Sequence, residues 1–450
     1  MRHLKFQILL LIIIGLSNSL IAQKDYMKQW PQFRGPFACG IIDSTNLPDM
    51  WDINTGENIR WKIEIPGLGH SCPVIWDDML FITTAISGKG SDSLKVGLYG
   101  DIESYDDETI HEFRVICIEK KSGKILWNKL AHKGIPRTKR HPKASHANPT
   151  AATNGKYVVA FFGSEGLYCY DFNGELIWKK DFGKLNSGYF RAPEAEWGFA
   201  SSPIVHENSI IIQCDVLGDS FIASYDVETG EEKWRISRHD VPTWSTPNYY
   251  NKGTLKQVIV NGYKHAGGYD FTTGKEIWKL SGGGDIPVPT PVFAHGLIYM
   301  HSAHGKSSPI YAIKPDAKGD ITLDSASTSN EYIVWSIKRG AAYNPTNIIY
   351  GEYLYNMKMS GKLSCFDAQT GKLIYSITIP GARGITASAI ASSGKIYYCT
   401  EQGEVFIIKA GNDYELIAKN PLNDPVMATP ALSDNMLFFR TQNYLIAVGN

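Results

Sequence analysis

Two histidines and a tryptophan, His70, His146 and Trp244, each stand three residues ahead of a proline that recurs along the chain. The full series at that offset is His70, His146, Ala200, Trp244, Val288, Ala342, Thr386 and Met427. If the prolines mark equivalent places in a ring of repeats, these positions converge on its axis, and the two histidines and the tryptophan break the symmetry there. Arg140, His141, Trp197, Arg339, Tyr343 and Arg383 lie near them in sequence. The candidate ligand-binding set at the mouth of a central channel is therefore His70, His146, Trp244, Arg339, Tyr343 and Arg383. Cationic and aromatic groups of this kind suit a small anionic or sugar-like ligand, held by charge-assisted hydrogen bonds and stacking. Loop packing around a satisfied core histidine is the competing reading.

Other chemistries find less support. Zinc takes three or four protein ligands, and no carboxylate shares the register of His70 and His146, so no metal site is expected. No G-x-S-x-G elbow, phosphate loop or paired-carboxylate motif is present, and Gly282-Gly283-Gly284-Asp285 has no helix after it. No catalytic residue is assigned. The seven cysteines are odd in number and none forms a C-x-x-C, which argues against a disulfide framework or a zinc knuckle. Cys117, Cys169 and Cys365 occupy one place in three repeats and read as small buried hydrophobes. The basic run Lys133 to Lys143 reads as a solvated loop.

The elements that must position these residues are repeats. The anchors are Pro73, Pro149, Pro203, Pro247, Pro291, Pro345, Ala389 and Pro430, with three intervals of 44 residues (247 − 203, 291 − 247, 389 − 345). The residue before each is Cys72, Asn148, Ser202, Thr246, Thr290, Asn344, Ser388 or Thr429, small groups able to satisfy backbone where inner strands crowd the axis. Each anchor opens an apolar hairpin such as Pro203-Ile-Val followed by Ile210-Ile-Ile. A second hairpin follows. Asp226 to Gly230 leads to Trp234, Asp270 to Gly274 leads to Trp278, and Asp367 to Gly371 leads to Tyr375. Glu119 to Gly123 leads to Trp127, and Asp171 to Gly174 leads to Trp178. The acid accepts turn amides and the glycine takes a positive φ. Four short strands per unit make one propeller blade.

The last unit ends without its aromatic fourth strand, while Ile59 to Ile65, with Trp61, is such a strand without a partner. The expected fold is all-β: an eight-bladed propeller of four-stranded antiparallel blades, the last closed by this N-terminal strand, because closure removes exposed edges. Seven blades is the alternative, since the unit after Ala389 lacks both turn and tryptophan. Three insertions interrupt the period, Ile86 to His111, Gly183 to Trp197 and Lys314 to Tyr332. The first reads as decoration rather than a functional lid.

Residues 1–22 read as a signal peptide, with Arg2 and Lys5 ahead of the apolar run Ile8 to Leu16. Residues 23–57 form an N-terminal extension packing on the propeller, and 58–450 a single domain. No other segment is long and apolar enough to span a membrane. Lys+Arg and Asp+Glu balance at 45 each, which gives no electrostatic case for nucleic acid. The chain is expected to be exported, periplasmic or extracellular, and monomeric.

The Asp-x-x-Thr-Gly-x-x-x-Trp units resemble the tryptophan-docking repeats of the pyrroloquinoline-quinone-like β-propeller family. Trp30-Pro31-Gln32-Phe33-Arg34-Gly35-Pro36, Leu47-Pro48-x-x-Trp51 and Asn58-Ile-Arg-Trp61-Lys62 are similar to an exported bacterial subgroup of it. The resemblance spans roughly residues 30 to 450 and implies eight blades. Quinoprotein dehydrogenases of the family carry a vicinal Cys-Cys pair, an acid/amide set around Ca²⁺ and a catalytic Asp. This sequence has no vicinal cysteines, and none of its residues aligns with that Asp. Other relatives are non-catalytic. The expected function is thus a ligand- or protein-binding scaffold without cofactor, its partner a protein, a glycan or a small anion. The alternative is a dehydrogenase-like enzyme using pyrroloquinoline quinone with Ca²⁺ at the channel mouth.

Overall fold

An indole on an outermost strand can lie flat only if the residue across the sheet is small. The pairs are Trp127 with Cys117, Trp178 with Cys169, Trp234 with Ser224, Trp278 with Gly268, Trp335 with Ala312 and Tyr375 with Cys365. That is why cysteine recurs at this position. All seven cysteines are free thiols, six of them buried. The structure is a computed structural model that describes residues 26–43, 47–90, 94–97, 100 and 102–450. The expected signal peptide lies outside the described residues.

Five indoles also reach the next blade, whereas the Trp278 N–H donates to Gln257 Oε1 of its own sheet at 3.1 Å. A Cβ on Gly123, Gly174, Gly230, Gly274 or Gly371 would come within 2.5–2.8 Å of the ring of Trp61, Trp127, Trp178, Trp234 or Trp335, respectively. The five indole N–H groups donate to the carbonyls of Lys120, Phe172, Val227, Phe271 and Ala368 at 2.9–3.1 Å. The turn is set by its acid: Asp226 Oδ1 accepts from the amides of Glu228 and Thr229 at 2.9 and 3.1 Å.

Apart from one two-stranded hairpin, the described strands form eight radial sheets, antiparallel but for one added edge strand. Their innermost strands, numbered here as blades 1 to 8, are Val74–Trp76, Ala152–Thr153, Ile204–His206, Asn248–Lys252, Val292–Ala294, Ile348–Tyr350, Ile390–Ser392 and Ala431–Ser433. Blade 7, the degenerate unit, still has four strands, with Ala418 opposite Ile407 where other blades place an aromatic. Seven blades is excluded. Strand Ile59–Glu64 pairs with Tyr444–Gly449 and completes blade 8, with Trp61 opposite Ala447. Trp61 then lies on Gly123 of blade 1, so the ring closes by the same contact that joins other blades. The insertion 314–332 supplies strand Gly319–Asp320, a fifth strand on blade 4, parallel to Glu276–Leu280.

The residues before the blade-closing strand cross beneath the ring. Trp30 bridges to Ile75 of blade 1, and the amide of Thr153 of blade 2 donates to Pro31. Phe37 stacks on His206 of blade 3, and its carbonyl accepts from Asn248 of blade 4. Ile41 bridges to Ala391 of blade 7, and Trp51 packs on Phe439 of blade 8. Arg34 is fully buried, and its guanidinium donates to five carbonyls: Ala38, Cys39, Thr346, Asn347 and Ala389. Burial lowers its pKa to about 10, so it remains a cation near neutrality, held by carbonyl dipoles.

Candidate functional site

Eight residues, each two positions before an innermost strand, line the channel: Cys72, Thr150, Ser202, Thr246, Thr290, Thr346, Ser388 and Thr429. Backbone amides of Cys72, Thr150, Ser202, Thr290, Thr346 and Ser388 donate to the hydroxyl of the next member at 2.9–3.1 Å. The blade-to-blade belt answers the question of what small polar side chains do on the axis: they satisfy amides that no sheet partner reaches.

This belt corrects the repeat register. In blades 2 and 6 the hydroxyl follows the proline, so Thr150 and Thr346 take the places expected for Asn148 and Asn344. The intervals from Ser202 to Thr246 and from Thr346 to Ser388 are 44 and 42 residues. Two residues further up the channel, the ring is His70, Asn148, Ala200, Trp244, Val288, Asn344, Thr386 and Met427, and every member lines one cavity of roughly 320 Å³. A shift of two keeps the same face of an extended chain but moves each side chain one step along it. His146 and Ala342 therefore fall outside the ring.

Of the six candidate residues, His70, Trp244 and Tyr343 line the cavity. Arg339 and Arg383 are exposed and do not. His146 lies instead beside Asp107 and His111, two residues that the sequence reading passed over. The i,i+4 spacing of Asp107 and His111 in an acidic insertion was the available signal. Phe33 of the N-terminal segment, His141, Lys143 and Trp197 also line the cavity.

The walls are held in place by the insertions. Strands Gly188–Tyr189 and Ala192–Glu196 form a separate hairpin, and Tyr189 stacks on Trp197 at 5.4 Å and 4°. Trp197 in turn lies 5.5 Å from Trp244. Their N–H groups go to the Ile102 and Gly198 carbonyls at 3.1 and 2.9 Å, which leaves ring surface toward the cavity. The 86–111 insertion is not decoration. Gly100 lines the cavity, Tyr105 bridges to Arg140, and the Gly97 amide donates to buried Glu401 at 2.6 Å.

The polar groups of the mouth are largely spoken for. Lys143 Nζ pairs with Glu401 at 2.5 Å, and Thr386 also bonds that carboxylate. Burial pushes His70 down to about 4, and its Nε2 donates to the Lys143 carbonyl at 2.9 Å. The imidazole is neutral near pH 7 and too weak a base for proton abstraction there. Burial also raises the Tyr343 phenol. No Asp or Glu is among the described lining residues.

A family model described as outer membrane protein assembly factor BamB matches residues 111–282 and 256–449. Comparison with curated protein sequences returns no match. Among solved structures, a quinohemoprotein alcohol dehydrogenase from Pseudomonas putida HK5 is similar at a TM-score of 0.61 and 11% identity, over 96% of this chain and 81% of that one. A quinohemoprotein alcohol dehydrogenase from Comamonas testosteroni is similar at 0.59 and 12%, over 94% and 81%. BamB from Moraxella catarrhalis is similar at 0.54 and 12%, over 81% and 98%. At such identities the solved structures speak to fold alone. The closed ring of eight blades and the family match over most of its length agree: this chain belongs to the pyrroloquinoline-quinone-like β-propeller family whose model is described as outer membrane protein assembly factor BamB.

Proposed function

We propose that this chain is an exported binding propeller that holds a sugar-like ligand in its channel mouth and performs no chemistry on it. One observation carries the reading. The cavity presents indole surface, hydroxyls and amides, with no described carboxylate and a single lysine already paired. Its volume of roughly 320 Å³ suits a small ligand. The exposed positions of Arg339 and Arg383 remove the case for an anion and leave the case for stacking on Trp244. The family description, an assembly factor, supports binding over catalysis. An envelope location rests on that description and on the N-terminal sequence.

The dehydrogenase-like alternative meets a poor donor set. Ca²⁺ takes hard oxygen ligands, carboxylates foremost, and a quinone bearing three carboxylates needs cations to face them. The described lining offers no carboxylate, and its one lysine, Lys143, is already paired with Glu401, so the residues present do not fit pyrroloquinoline quinone with Ca²⁺.

Titration with soluble oligosaccharides, followed by intrinsic tryptophan fluorescence, tests the reading. Saturable binding is expected, weakened about tenfold in Trp244→Ala, which corresponds to about 1.4 kcal/mol. No binding across neutral and acidic glycans, or dye reduction on adding the quinone, Ca²⁺ and an alcohol, overturns it.

A further inference from the structure

Asp107, His111 and His146 bring one carboxylate and two imidazoles to a point beside the channel mouth. Asp107 belongs to the 86–111 insertion, His111 opens the strand His111–Glu119 of blade 1, and His146 precedes the ring residue Asn148. Their side chains are 1%, 0% and 5% exposed. Asp107 Oδ2 lies 3.1 Å from His111 Nε2 and 3.8 Å from His146 Nε2, and the three ligand atoms all lie within 4.8 Å of one another. Among the described residues no other three such side chains converge in this way.

The hydrogen bonds behind the cluster orient it. His111 Nδ1 donates to the Thr109 carbonyl at 2.8 Å, because a carbonyl can only accept. In the neutral ring, Nε2 therefore carries a lone pair, and that lone pair faces Asp107 Oδ2. The other carboxylate oxygen, Oδ1, accepts from the Thr109 amide at 3.3 Å. One residue, Thr109, thus turns both the imidazole and the carboxylate toward the same point, as the outer contacts of metal-bound histidines do. Two acceptors facing each other across 3.1 Å need a positive charge between or on them: a metal ion, or a proton that makes His111 an imidazolium. Phe113 packs against both histidines, with centroids at 6.3 and 6.4 Å. An apolar wall of this kind strengthens either attraction.

The second imidazole favours the metal. A proton on His111 accounts for one contact, whereas His146 Nε2 faces the same oxygen at 3.8 Å, beyond hydrogen-bond range. Metal–ligand bonds of about 2.0–2.2 Å place tetrahedral ligand atoms roughly 3.3 Å apart. The 3.1 and 3.8 Å separations bracket that value, and the third separation in the set is no more than 4.8 Å. We propose that Asp107, His111 and His146 bind a divalent first-row transition metal ion, with zinc the best match to a set of two imidazoles and one carboxylate. The ion pins the insertion to blade 1. That insertion supplies Gly100 to the cavity wall and the Ile102 carbonyl to Trp197. Metal binding therefore orders one side of the mouth, whichever ligand occupies it.

The test uses the full chain without a histidine tag, stripped with chelator and titrated with Co²⁺ and then Zn²⁺. Expected are one ion per chain, visible d–d absorption with Co²⁺, and a thermal midpoint that rises with Zn²⁺ concentration. Asp107→Asn and His146→Gln are each expected to weaken uptake at least 100-fold while retaining the far-ultraviolet circular dichroism of the parent. Where a variant does not fold, X-ray absorption at the zinc edge of the parent decides, with nitrogen and oxygen neighbours consistent with two imidazoles expected. No stoichiometric uptake by the parent at 10 μM-scale metal (order of magnitude, weaker than structural zinc) overturns the proposal in favour of an imidazolium–carboxylate pair. Unchanged uptake in folded variants, or sulfur neighbours at the zinc edge, overturns it as well.

Discussion

Glu165 shows how one buried group writes a pH dependence into the ring. Burial raises its carboxyl to about 7, opposed by a hydrogen bond from the Arg137 amide. A carboxyl whose folded pKa lies above its unfolded value binds more protons when folded. Its stabilising contribution is full below the unfolded value of about 4.5 and is lost as pH rises to 7. Glu165→Gln is therefore expected to raise the thermal midpoint at pH 8 by a few degrees and to leave it unchanged at pH 4.5, as measured by calorimetry. His70, at about 4, works in the opposite sense: folding favours its neutral form, and the benefit is lost as pH falls from about 6.5 toward 4. At this scale the sequence was a partial guide. It placed His70 and Trp244 on the channel because they sit at regular offsets. It misplaced His146 because proline, the visible marker, is not the residue that the belt of hydrogen bonds requires.

Between blades the decisive contact is indole on glycine. Gly274 has φ +73° and a Cβ there would lie 2.5 Å from Trp234. Gly274→Ala therefore combines backbone strain with overpacking, and a loss of about 2–4 kcal/mol is expected in chemical denaturation. Gly253 supplies the control: its φ is +63° but nothing lies within 4 Å. Gly253→Ala is expected to cost only about 1 kcal/mol, the backbone share. Equal losses in the two variants would show that the indole contact is unimportant. The tight turn was legible in the sequence from its acid and glycine. That the aromatic four residues later covers the neighbouring turn rather than its own was not, because the contact crosses between sheets.

Over the whole molecule, stability depends on two long-range closures. Removing residues 1–65 takes away strand Ile59–Glu64 and leaves the edge of Tyr444–Gly449 unpaired. Oligomers or aggregates formed through that edge are expected, measured by light scattering after size exclusion; a stable monomer counts against closure as the reason for the strand. The second closure is Arg34, whose five donors bind carbonyls on its own segment and on blades 6 and 7. Arg34→Met leaves those carbonyls without their donors, and a loss of at least about 3 kcal/mol is expected in urea unfolding.

Blade number, strand order and the sealing of the ring by the segment around Trp61 were written in the residues themselves, because each rests on short patterns that repeat within one hairpin. Which side chains meet at the mouth was decided only in three dimensions. Thr150 and Thr346 enter the belt two places later than proline spacing implies, since hydrogen bonding between blades sets their height. Asp107 and His146, 39 positions apart, come together because a non-periodic loop folds back over the ring. A repeat fixes what neighbours in sequence do; insertions that break the repeat have their partners chosen by packing.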